Sequence, residues 1–76
     1  MTYTDLTAKI KFFEKSPARL QEPHEGTTAW MYLWRLVENY FESQDSEVFE
    51  TESWIQQTED ILSRMSRLMK EVEYEN

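Results

Sequence analysis

The residues with the most obvious chemical promise are His24 and Glu25. Together they open the pattern H-E-x-x-H, in which two histidines one helical turn apart hold zinc and the glutamate acts as base. The fourth position of that pattern is Thr28, and His24 is the only histidine in the chain. It also falls between Pro23 and Gly26, in a stretch that reads as a loop, so no helix presents a metal-binding face there. His24 is therefore read as an exposed loop residue. A nucleophile–base pair would need the same histidine, oriented by a third group, and no serine stands in a nucleophile elbow. The chain has no cysteine, which removes thiol catalysis, Cys-based zinc sites and disulfides together. A phosphate-cradling glycine loop is excluded because Gly26 is the single glycine. Carboxylates are plentiful, but acid–base work needs a cavity that shifts one of them, and three short helices enclose little volume. No catalytic residue, metal or cofactor is expected.

The acidic run Glu42, Asp45, Glu47, Glu50 and Glu52 invites a calcium reading. An EF-hand loop needs oxygens at fixed alternating positions and a glycine at its sharp turn. Here the intervals differ, Phe49 occupies a would-be ligand position, and the glycine is missing. Charge distribution says more. The formal charge is −7, yet residues 1–20 carry +2, residues 21–62 carry −9 with Arg35 the only base, and residues 63–76 cancel. A field of that size repels nucleic acid and attracts basic surfaces. These five carboxylates are thus the candidate contact to a basic protein partner, by charge mimicry where that partner handles nucleic acid. The competing reading is an acidic helix face that is simply solvated.

Two further patterns bear on binding. Lys9, Lys11, Phe12, Phe13 and Lys15, followed by Arg19, mix bases with aromatics as lipid or single-strand binders do. Phe13 belongs to the inward side of its helix, so solvated lysines around a core helix explain the stretch better. The segment from Ala29 to Phe41 carries more apolar surface than one face can bury. Met31, Tyr32 and Leu36 cannot all point inward with Trp30, Trp34 and Tyr40, and are expected to line a contact with another chain.

These side chains must be positioned by helices. One glycine in 76 residues, with no Asn-Gly or Asp-Gly pair, argues against a sheet built on tight hairpins. Leu6, Ile10 and Phe13 share a face, predicting a helix over 4–15 capped by Thr2 or Thr4. Pro17, Pro23 and Gly26 mark 16–27 as the main loop, with Ser16-Pro17 able to start a short turn that sends Leu20 inward. Trp30, Leu33, Trp34, Val37, Tyr40 and Phe41 predict a second helix over 28–42. A third helix over 46–74, capped by Asp45 or Ser46, follows from Trp54, Thr58, Ile61, Met65, Leu68 and Val72, which step alternately by four and three. Ile55, Leu62 and Met69 recur every seven residues and are expected to broaden that seam. At 1.5 Å per residue the third helix spans roughly 38–42 Å, the second about 22–24 Å and the first about 18 Å.

The expected fold class is all-α: residues 1–76 form a single small helical domain in a three-helix arrangement. The two shorter helices pack on the long C-terminal helix, and self-association can complete it. The longest apolar run, Ala29 to Trp34, is far short of a membrane span, and the lysine-bearing N-terminal stretch does not resemble a signal peptide. The expected setting is cytoplasmic, with neither membrane nor direct nucleic-acid contact. The functional expectation is a non-enzymatic inhibitor or adaptor that occupies a partner's basic surface. The alternative is a structural subunit of a helical homo-oligomer or larger assembly, with its affinity in the Trp54–Val72 seam and the apolar arc of the second helix.

Overall fold

The computed structural model describes residues 2–45, 47 and 51–74, without the side chains of residues 73 and 74. It is mostly helical. Helix α1 (Tyr3–Lys15) is followed by a short 3-10 helix (Pro17–Gln21), strands β1 (Pro23–His24) and β2 (Thr27–Thr28), helix α2 (Ala29–Glu42) and helix α3 (Glu52–Tyr74).

Local chemistry sets each boundary. Thr2 caps α1 through a capping box: the Asp5 amide donates to Thr2 Oγ1 (3.1 Å) and the Thr2 amide to Asp5 Oδ2 (3.3 Å). The bonds from Thr2 hold the Asp5 carboxyl below its usual range. The helix stops at Ser16, since the residue before Pro17 is pushed out of helical backbone. Pro17 then opens the 3-10 helix and Leu20 is fully buried, as the sequence suggests. Thr28 caps α2, accepting from the Met31 amide at 3.3 Å.

Two expectations need correction. The long helix starts at Glu52 instead of residue 46, because Thr51 caps it: its Oγ1 accepts from the Trp54 amide (3.2 Å) and its carbonyl from the Ile55 amide (3.1 Å). Of the two expected caps, Asp45 stands well before the start of α3 and Ser46 lies outside the described residues. The segment 16–27 is also not a plain loop but holds a small antiparallel hairpin, with Pro23 opposite Thr28 and His24 opposite Thr27. Its two turn residues, Glu25 and Gly26, have φ of 49° and 83°. That is the double positive φ of a tight hairpin turn, with Glu25 standing where Asn or Asp is usual.

The core is built from Leu6 and Ile10 of α1, Leu20, Leu33, Val37 and Tyr40 of α2, and Ile61, Met65 and Leu68 of α3. Helix α1 packs on both other helices, and the 3-10 helix packs on α3. Helices α2 and α3 meet through long side chains. Tyr40 and Phe41 lie against Trp54, with ring centroids 6.0 and 5.4 Å apart, and Tyr40 Oη donates to Gln57 Oε1 at 3.0 Å. Ile55, Leu62 and Met69 do not broaden the seam. They are 47, 43 and 41% exposed, on the outer side of α3. No helix among the described residues is long and apolar enough to cross a membrane.

Candidate functional site

Helix α2 ends at Glu42, where the Ser43 amide donates back to the Asn39 carbonyl. Helix α3 begins ten residues later, at Glu52. Glu42, Asp45, Glu47 and Glu52 lie toward the end of the molecule where α2 finishes and α3 starts, and all four are exposed. Glu50, the fifth expected contact residue, lies outside the described residues. Glu52 accepts a bond from Gln56 Nε2 at 3.4 Å. No ion pair to these four carboxylates is formed among the described residues, whose ion pairs involve Arg19 and Arg64 only. Glu52 in the first turn of α3 also complements the positive end of that helix.

The other three expected contact residues lie elsewhere. Met31, in the first turn of α2, is 48% exposed. Eleven residues separate it from Glu42, about 16 Å along the helix. Tyr32 is half-buried and packs on His24, with ring centroids 3.9 Å apart and planes tilted by 44°. Leu36 packs against the core cluster and so supports the interior. The acidic group and the apolar group are therefore two separate surfaces.

His24 is correspondingly half-buried, not the exposed loop residue expected, because the hairpin turns it onto Tyr32. This pair forms one wall of a groove of about 860 Å³ between α1, the 3-10 helix, the hairpin and the start of α2. Lys9, Phe12, Phe13 and Arg19 line the remainder, with the Arg19 guanidinium 5.6 Å from the Phe12 ring centre. Asp5 and Glu22 also border the groove, so its charges balance and no anion or cation is favoured by charge alone. Sequence reasoning missed it because the hairpin that joins position 24 to position 32 lacks the usual turn pair. No group of three potential metal ligands occurs among the described residues.

A polar cluster ties α1 to α3. Tyr3 Oη donates to Asp60 Oδ2 at 2.8 Å, and Arg64 donates to Asp60 (3.4 Å) and to both oxygens of Glu14. The bond to Asp60 pushes the Tyr3 phenol above its ordinary pKa, and the bonds to Glu14 hold Arg64 more firmly protonated. Every member has a partner, so the cluster reads as structural.

Compared with protein-family models, curated proteins and solved structures, the chain finds no match in any of the three.

Proposed function

We propose that this chain is a non-enzymatic binding protein, an inhibitor or adaptor, whose acidic end occupies a basic surface on a partner protein. The observation that supports the reading is the placement of Glu42, Asp45, Glu47 and Glu52 at one end of the molecule, exposed and without an ion pair among the described residues. Uncompensated like charges gathered at one end raise the local field, which speeds encounter with a basic patch and favours it over acidic competitors. The partner class that fits best is a nucleic-acid-handling protein whose phosphate-binding surface these carboxylates cover by charge mimicry. The reading involves no cofactor, membrane or direct nucleic-acid contact, and it sets the protein in the cytoplasm. It also retains the arrangement of two shorter helices laid along a long third.

The test is affinity capture from the source cell's lysate at low and high salt. The wild-type protein is compared with a variant carrying Glu42→Gln, Asp45→Asn, Glu47→Gln and Glu52→Gln. A basic partner captured at low salt, released at high salt and lost with the variant supports the proposal. Capture that is indifferent to both salt and the substitutions overturns it.

A further inference from the structure

The outer side of α3 carries a feature that the acidic end does not account for. Ile55, Leu62 and Met69 stand seven residues apart and are each more than two-fifths exposed, on a protein with a 39 × 23 × 17 Å envelope. Seven residues advance an α-helix by nearly two full turns, so the three side chains form one stripe roughly 21 Å long. The stripe is continuous with further apolar surface. Trp54, Thr58 and Val72, all partly buried, form the adjoining edge of α3. Phe41 lies against Trp54 at one end of that edge, and Trp30 borders a small cleft with Val72 at the other. Trp34, in edge-to-face contact with Trp30, stands between them on α2, and all three of these α2 aromatics are only half-buried. A small monomer rarely leaves so long an apolar band open to water.

We infer that a second copy of this chain covers the stripe, with the two α3 helices antiparallel and crossing near Leu62. The charges beside the stripe select this occupant and this direction. On the side of the stripe facing away from the molecule's own core lie Glu52 and Glu59 in the first half of α3, and Lys70 in the second, all exposed. When two such helices meet head to tail about Leu62, Ile55 of each copy packs near Met69 of the other. Glu52 then falls beside Lys70 of the other copy, twice by symmetry. Ser66, small and exposed, sits at the centre of the same flank and lets the helices approach closely. A parallel pair would turn each flank toward the other copy's bundle and away from the other copy's flank. Sharing the half-exposed Trp30, Trp34 and Phe41 edge enlarges the contact toward the ~800 Å² per partner that a specific dimer needs. The dimer shares only Glu52 with the acidic-end proposal, and its Leu62→Lys test touches none of the acidic residues.

Sedimentation equilibrium of the full chain, from low to high micromolar concentration, tests the inference. The wild type is expected to show a dimer mass, and Leu62→Lys to raise the dissociation constant by at least ~100-fold with an unchanged far-UV spectrum. Charge reversal supplies a test that does not touch apolar packing. Glu52→Lys and Lys70→Glu are each expected to weaken the dimer about tenfold, and the double variant to restore it. A wild type that stays monomeric throughout overturns the inference and leaves the stripe to a different protein. A Leu62→Lys protein that still dimerises overturns it as well. Single reversals that weaken the dimer without rescue by the double variant would exclude the antiparallel crossing.

Discussion

Arg64 grips Glu14 with two nitrogens at once: Nη2 lies 2.6 Å from Oε1 and Nε lies 3.1 Å from Oε2, across fifty residues of sequence. Both side chains are largely shielded from water, at 19 and 29% exposure. A planar guanidinium can satisfy both carboxylate oxygens, whereas an ammonium meets only one. Arg64→Lys is therefore expected to lower stability by about 1 kcal/mol and Arg64→Ala by about 2 kcal/mol. Urea midpoints measure this directly. A double-mutant cycle with Glu14→Gln should return a positive coupling energy, and a cycle with none would reduce the fork to a surface contact.

Tyr3 extends the same clamp and gives it a pH limit. Its phenol is raised above 10.0 chiefly by the bond to Asp60, while burial raises that of Tyr40. Because the folded values lie above the unfolded ones, the stabilisation is complete below pH 10.0 and is lost as the pH rises through the folded values. Denaturation midpoints should thus fall above about pH 10. Tyr3→Phe should remove part of that fall while costing some stability at neutral pH, and an unchanged alkaline limb would exclude the assignment.

The hairpin turn stores backbone strain that substitution can expose. A Cβ on Gly26 meets no atom within 4 Å, so the cost of Gly26→Ala comes from its φ of 83° and not from crowding. We expect a loss of about 1 kcal/mol. Glu25, at a φ of 49°, is the converse case. Replacing it with Asn, which tolerates this region, should raise stability by about 0.5 kcal/mol in thermal unfolding.

Thr58 presents a buried hydroxyl with no hydrogen-bond partner among the described residues. An unsatisfied buried oxygen costs its desolvation without return, so Thr58→Val is expected to stabilise the protein by about 1 kcal/mol. A destabilised Val variant would mean that this oxygen does find a partner in solution.

The sequence reveals the helices wherever a cap and an apolar period agree. Thr28, Leu33, Val37 and Tyr40 together fix α2, and the steps from Ile61 to Met65 to Leu68 fix the inward face of α3. The start of α3 was not legible because Ser, Asp and Thr all recur between residues 43 and 51, and only backbone geometry selects Thr51 as the cap. The hairpin escaped notice for a related reason: its turn is Glu-Gly, and glutamate carries no local signal for positive φ. The direction of Ile55, Leu62 and Met69 was ambiguous in principle. Two apolar stripes side by side on one helix have the same period, and only contact with Leu6, Leu20 and Leu33 decides which turns inward. The concentration of acidic residues was evident from charge alone, while the groove at His24 and Tyr32 required the hairpin to be known.

All three tryptophans stand on the α2–α3 edge, and α1 contributes none. Intrinsic tryptophan emission will consequently report first on the solvation of that edge, whereas separation of α1, which carries no tryptophan, will register most strongly in the far-UV circular dichroism. Unfolding curves from the two optical signals will coincide if the molecule opens as one unit. Should α1 peel away first, the dichroism will change ahead of the emission.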